Sequence, residues 1–517
     1  ENTDPYLMSL ALGTDEPESK YGPKRNLFEE GIPEHAYSPF DAVEKRETCP
    51  QGGCDYVEGR VLIKLDAEQV FSKAGTNQVL LQDQELTAAL EALEISDLTP
   101  VFPNAEPPFP GEMVEAIDGG LVEKPDLTRW LQGETQSAKG MSEVIRQLQK
   151  TVGIAVAEPD YIRRPVGEAR ETVSTSPVAL PGPGTDPLFA QQWHLEATNV
   201  PEAWAYLESQ GLPAGGSSDV IVAVIDTGVD YTHPDLAANM WINQAEFYGS
   251  AGSDDDGNGY VDDIYGADTV YPDGDPLDDH GHGTHVAGII AAQAGNGIGG
   301  VGVAYNTRIM AIKAAQYSGI LASSDIAEGL YYAVTKGADV INMSFGSYAR
   351  STIEEDALTI AFGHAVLVAA AGNDGQLNGP GSLNMFPAAY NWILGVMSRN
   401  QYPDVDGNYL SGFSNYDASA NDEYEYELMA PGQAIWSTLP GEQYAAWSGT
   451  SMSAPVVSGI AALARTKWSD KNIYSSRFIM GQIATTGSSL QGLFELHYNI
   501  PDALASITTS PEPKLNY

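Results

Sequence analysis

The chain is 517 residues long and 43% apolar, which gives room for two to four domains with ordinary cores and excludes disorder throughout, collagen and a disulfide-built miniprotein. Its 26 Lys and Arg against 70 Asp and Glu leave a formal charge of −44. A surface this acidic repels phosphate backbones and anionic lipid, so neither nucleic acid nor a membrane is an expected partner, whereas hard cations are. No apolar run approaches the roughly 18–20 residues that span a bilayer. The opening Glu1-Asn2-Thr3-Asp4 shows neither an initiator Met nor a signal peptide, and either is expected to have been removed or never included. Residues 1–55 are rich in Pro, Gly, Glu and Tyr without a sustained period; they read as an irregular extension, and they hold the two cysteines, Cys49 and Cys54.

From 56 to 165 the pattern changes. Arg60–Leu65 and Gly153–Ala157 predict strands, Leu98–Phe102 a further short one, and Gln84–Ile95 and Ser137–Thr151 predict helices. Strands bracketing two helices predict a small α+β domain with an antiparallel sheet. Residues 166–185, rich in Pro, Gly, Ser and Thr, predict a solvated linker open to proteolysis. Beyond it, Val220–Ile225, Ala338–Met343 and Ala365–Ala370 are near-continuous apolar runs, as expected of strands buried on both faces of a parallel sheet. Helices are predicted between them at His282–Ala292, Ser324–Thr335 and Ser451–Arg465. Residues 186–517 thus read as a doubly wound α/β domain, with Thr508–Tyr517 a frayed tail or the start of a further region.

Asp226 follows the first buried strand directly and precedes Thr227-Gly228, at the carboxyl edge where an open α/β sheet places its ligands. His282 lies in His280-Gly-His-Gly-Thr-His-Val-Ala-Gly288, a loop running into a helix. Ser451 lies in Gly449-Thr-Ser-Met-Ser-Ala-Pro455 at a helix start that favours developing negative charge. Alone, each has a plainer reading: Asp226 as a turn residue, His282 as a structural histidine or part of a transition-metal cluster, Ser451 as a helix cap. Together they hold the parts of a serine nucleophile, a histidine that takes its proton and a carboxylate that orients the histidine, in the chain order Asp, His, Ser. Asn373, in Ala369-Ala-Ala-Gly-Asn-Asp-Gly375 just past a buried strand, is either a turn residue or an amide donor to an oxyanion, with the Ser451 backbone N–H as the second donor.

On these motifs residues 186–470 resemble the subtilases, subtilisin-type serine endopeptidases. The resemblance implies a subtilisin-like fold, Asp226, His282 and Ser451 as the catalytic residues and Asn373 at the oxyanion position. It also implies an extended substrate lying between Gly319-Ile320-Leu321 and Ser344-Phe345-Gly346. Gly372, Asp374 and Gly375 would border the pocket for the residue before the scissile bond, where the Asp374 carboxylate would admit Lys or Arg beside large apolar residues. Ser323 would leave a roomy subsite further along. Residues 56–165, ending in Val156-Ala-Glu-Pro-Asp-Tyr161, resemble the family's inhibitory propeptide, a ferredoxin-like α+β domain, so the chain is expected to be a monomeric zymogen. It would be cut between Arg164 and Asp186, act on proteins and peptides, and be inhibited by its own propeptide. The family implies a secreted, extracellular or periplasmic protein. In that setting a Cys49–Cys54 disulfide is expected, worth about 2 kcal/mol for so short a loop.

Calcium is the expected structural ion. Asp254, Asp256 and Asn258 with the Tyr260 carbonyl follow the start of an EF-hand loop, but Tyr265 stands where its closing glutamate belongs, so Asp262 or Asp263 must complete the shell. Asp268, Asp273 and Asp275 form a second acidic loop that resembles a calcium site of thermostable subtilases, with Leu277 able to offer only its carbonyl. Asp186, Asp235 and Asn296 match family ligand positions for a third. Two other functions remain open on sequence alone: a calcium-binding scaffold that no longer cuts, and a metallopeptidase built on the histidine cluster.

Overall fold

A computed structural model describes residues 55–67, 69, 71–74, 78–115, 120–173, 185–378, 383–417, 426–491 and 497–509. The expected Cys49–Cys54 disulfide lies outside them, as do the N-terminal extension and the last residues.

Residues 56–165 fold as β1 (Tyr56–Leu65), α1 (Gln84–Ala92), β2 (Ile95–Pro100), β3 (Trp130–Thr135), α2 (Met141–Leu148) and β4 (Ile154–Pro165). The antiparallel sheet has the order β4-β1-β3-β2, the split βαβ arrangement of a ferredoxin-like domain. Period-2 alternation along β1 explains its burial on both faces. Val61, Ile63 and Leu65 face the domain's own helices and meet Leu86, Leu90, Val144, Ile145 and Leu148, while Leu62 faces the other way and joins the core of the larger domain. Asp83 caps α1 by accepting from the Glu85 and Leu86 amides.

The chain then forms β5 (Glu168–Val173), within the segment expected to be a solvated linker. Backbone pairing explains the difference, because β5 lies antiparallel against a strand of the larger domain, Gln443–Ser448, rather than in solvent.

The larger domain contains β6 (Ile221–Asp226), β7 (Gly266–Asp268), α3 (His282–Ala291), β8 (Arg308–Lys313), β9 (Leu321–Ala322), α4 (Ser323–Thr335), β10 (Val340–Met343), β11 (Phe345–Gly346), α5 (Thr352–Phe362), β12 (Val366–Ala370), β13 (Leu394–Arg399), β14 (Leu428–Pro431), β15 (Gln443–Ser448), α6 (Thr450–Lys467), β16 (Ser488–Gln491) and β17 (His497–Ile500). Among the described residues its central sheet runs β7-β8-β6-β10-β12-β13-β14-β17-β16, parallel up to β17 and closed by an antiparallel β16. β10, β12 and β13 are buried along their whole length, which is why their sequences are apolar without alternation. Crossover helices cover the sheet, so Asp226 at the end of β6 emerges at its carboxyl edge, as a doubly wound sheet requires. Among the described residues no helix is long and apolar enough to cross a membrane.

Candidate active site

His282 opens α3 and Asp226 ends β6, and the fold brings them together: His282 Nδ1 lies 2.7 Å from Asp226 Oδ1, with both side chains buried. The Thr227 amide donates to the same carboxylate oxygen at 2.8 Å. Asp278, which the motifs did not single out, sets the spacing of the two loops. Its Oδ1 accepts from Thr227 Oγ1 (2.9 Å) and from the His280 and Gly281 amides, and its Oδ2 accepts from the Thr284 amide and hydroxyl. Burial raises the Asp278 carboxyl above its ordinary value, against the pull of these donors.

Ser451 lies at the start of α6. Its hydroxyl donates to the Ser344 carbonyl at 2.7 Å and accepts from the Val166 amide at 2.8 Å. Among the described residues His282 Nε2 is buried without a hydrogen-bond partner, so the serine hydroxyl is turned away from the imidazole. What joins them is the peptide between Val166 and Gly167. The Val166 carbonyl accepts from the Ser451 amide at 3.0 Å and the Val166 amide donates to the Ser344 carbonyl at 3.2 Å. On the other side of that bond, a Cβ added to Gly167 would stand 3.6 Å from His282 Nε2. Gly449 permits the approach: a Cβ there would fall 2.4 Å from the Val166 oxygen, and 2.9 Å from Asn373 Nδ2. Asn373 Oδ1 accepts from the Thr450 amide and hydroxyl at 2.9 and 3.0 Å, which leaves Nδ2 as the end of the amide that can donate.

The chain itself lies extended through the cleft. Leu321 and Ala322 of β9 pair antiparallel with Arg163 and Ile162, and Phe345 and Gly346 of β11 pair with Pro165 and Arg164. Gly319 borders Pro165, and a Cβ on this glycine would lie 3.6 Å from Pro165 Cδ. Past the Val166–Gly167 peptide, Glu168 pairs with Ser448 at the start of β5. Two carboxylates of β4 are buried on helix starts of the larger domain. Glu158 accepts from the Thr352 and Ile353 amides at 2.9 and 3.1 Å at the N-terminus of α5, and Asp160 accepts from the Ser324 amide at 3.0 Å at that of α4. Burial pushes Glu158 up to about 7 despite these donors. Asp374 is exposed and accepts from the Tyr348 hydroxyl at 2.5 Å, so that neighbour already engages its carboxylate. Ser323 donates to Glu354 Oε1 at 2.5 Å, and the Arg163 side chain of β4 lies in the subsite beside it.

The histidine cluster does not converge. His280 is exposed, and His285 Nε2 donates to the Ala445 carbonyl (3.1 Å), while its ring stacks on Trp447 and is pushed down to about 3 by burial. Among the described residues no group of three metal-ligating side chains includes any of these histidines.

Such a group does form in the first acidic loop, from Asp254, Asp256 and Glu246, whose oxygens lie within 4.8 Å of one another. Hard carboxylate oxygens converging in a glycine-rich turn suit Ca²⁺. Glu246 escapes the motif because it precedes the loop, in the short helix Gln244–Phe247. The loop is also internally hydrogen-bonded: Asn258 Nδ2 and the Tyr332 hydroxyl donate to Asp263, Asp262 accepts from the Gly252 amide, Asp254 from the Gly257, Asn258 and Gly259 amides, and Asp256 pairs with Lys336. In the second loop Asp268 accepts from the Val270 and Tyr271 amides, Asp273 from the Asp275 amide, and Asp275 from the Tyr231 hydroxyl and the Leu277 amide; among the described residues these three carboxylates do not form a metal-ligating group. In the third set, Asp186 accepts from the Gly295 and Gly297 amides and Asn296 Nδ2 donates to Asp235 at 2.7 Å. Burial first, then the Asp186 charge, raise Asp235 to about 7.

The subtilase family model matches residues 217–491. The chain is similar to the thermophilic serine proteinase of Bacillus sp. (strain AK1), 41% identical over 249 residues that cover 48% of this chain and 52% of that one. Another relative is the halolysin-like extracellular serine protease Nep of Natrialba magadii, 35% identical over 283 residues, 54% of this chain and 44% of that one. The chain thus spans about half the length of the curated relatives it matches. Among solved structures, fervidolysin from Fervidobacterium pennivorans, a keratinolytic enzyme related to subtilisin, superposes with a TM-score of 0.60 at 22% identity over 90% of this chain and 63% of that one, a likeness of fold.

Proposed function

The chain belongs to the subtilase family, and from that premise we propose that it is a secreted serine endopeptidase made as a zymogen, with Val166–Gly167 as the bond it cuts first. The observation that carries this reading is the position of the Val166 carbonyl, 3.0 Å from the Ser451 amide in a strand running through the cleft.

The chemistry follows from the hydrogen bonds. Asp226 accepts the Nδ1 proton of His282, which leaves Nε2 with the lone pair. Rotation of the Ser451 hydroxyl from the Ser344 carbonyl towards Nε2 lets the imidazole take its proton as the oxygen attacks the carbonyl carbon. The negative charge that forms on the carbonyl oxygen meets the Ser451 amide and Asn373 Nδ2. The imidazolium then gives its proton to the departing Gly167 nitrogen, and water releases the acyl group by the same path. Asp278 positions both loops without touching the substrate. N-terminal sequencing of the processed protein should return Gly167-Glu168-Ala169; a start beyond Thr185 would overturn this register.

In this reading residues 56–165 are the propeptide, held in place by Glu158 and Asp160 on two helix starts, and the enzyme works as a monomer on proteins and peptides. The extracellular relative supports secretion. A structural Ca²⁺ is proposed at Glu246, Asp254 and Asp256, where the cation offsets carboxylates that otherwise repel one another. At about a hundredfold excess over its dissociation constant it would contribute about 2.7 kcal/mol. A chelator should therefore lower the melting temperature by about 5–10 °C, and Glu246→Gln should shrink that shift; an unchanged melt rules calcium out as a structural ion here.

A further inference from the structure

Four residues before the scissile carbonyl, counting Val166 as the first, stands Arg163, and this deepening of the proposed function rests on that register. Arg163 is fully buried, with a relative exposure of 0%. Its guanidinium meets one carboxylate among the described residues, Glu354, at 3.0 Å from Nη2 and 3.3 Å from Nε, and Nη1 donates to the Ser347 hydroxyl. Glu354 is itself 1% exposed and sits in the first turn of α5, where the helix N-terminus favours an anion; Ser323 fixes its other oxygen. A second cation close in the chain, Arg350, is turned to Glu355. By contrast Arg164, one residue on, is exposed.

The cleft's wall therefore carries a buried negative charge that the occupant of this subsite neutralises. When β4 departs, Arg163 goes with it and Glu354 stays. A substrate that brings an apolar side chain to the same place leaves the carboxylate desolvated and unpaired, a repulsive element as well as a lost attraction. We propose that Glu354 makes this enzyme selective for peptides with arginine at the fourth position before the cut, and that the Arg163 of its own chain is the first side chain so recognised. Lysine, a point charge without the planar fork, would satisfy the site less well.

The test uses processed enzyme and two quenched fluorescent peptides spanning Asp160–Ala169, one with the native Arg163 and one with leucine in its place. The arginine peptide should be cleaved about 10–100-fold faster in kcat/KM, and in Glu354→Gln enzyme the same ratio should fall to within about threefold. A wild-type ratio near one, with both peptides cut at Val166–Gly167, overturns the inference while the peptidase reading stands. A large ratio that persists in Glu354→Gln also overturns it. If Glu354→Gln fails to fold, the wild-type ratio decides, together with the rate of self-processing in Arg163→Leu, which should drop by a similar factor. Absence of any cleavage together with no labelling by a fluorophosphonate probe sinks the peptidase reading first, and this inference with it.

Discussion

Ser451→Ala should leave the chain as one uncut polypeptide and lower peptide hydrolysis by about 10⁶-fold, the loss known when the nucleophile of a subtilisin is removed. The expectation follows from the site's economy of parts. The Ser451 hydroxyl is the one held against the Val166 peptide, and His282 Nε2, the base beside it, has no other partner among the described residues. The variant should still fold, since alanine gives up only the bond to the Ser344 carbonyl and the contact from the Val166 amide, and the remaining strand pairings hold the propeptide. Intact mass and fluorophosphonate labelling check it: wild type should be processed and labelled, the variant neither. Self-processing by the purified variant at the wild-type rate would end the case for Ser451.

The second large effect is expected from Asn373→Ala, about 10²–10³ in kcat with KM little changed, a magnitude taken over from subtilisin, where it is known for the equivalent amide. Here the geometry says which end of the amide acts. Oδ1 is committed to Thr450, so Nδ2 alone can serve the oxygen, and it gains strength only as charge develops there. Asn373→Asp should be at least as damaging, because it puts an acceptor where a donor is needed. A fall in kcat/KM caused by KM alone would assign Asn373 to ground-state binding instead.

Much of this is legible in the sequence because the physics is local. Runs such as Val220–Ile225 and Ala365–Ala370 are apolar on both faces only because a parallel sheet is covered on both, so their class and their carboxyl edge can be read together. The motifs around Asp226, His282, Ser451 and Asn373 are dense in small residues because backbones must meet there, as Gly449 does the Val166 oxygen. What stays hidden depends on partners distant in the chain. Glu168–Val173 has no alternating pattern, since its pairing with β15 uses backbone groups that any side chains would permit. Glu354 looks like an ordinary acid in a first helical turn, and only the fold shows it facing Arg163, 191 residues away. Glu246 and Asp278 lie outside the motifs whose loops they hydrogen-bond, and only the fold brings them there. In both acidic loops the density of carboxylates is visible in the sequence, but which of their oxygens converge is not: among the described residues only Glu246, Asp254 and Asp256 form such a group.

The pairing of β4 on one flank of the cleft and β5 on the other separates two events that are easily taken for one. Breaking the Val166–Gly167 peptide severs a covalent link but no interstrand ladder, so both new ends remain docked and the nicked molecule keeps its cleft full. Scission and the onset of turnover should then run on different clocks, the first intramolecular and independent of concentration, the second set by how quickly a severed end lets go.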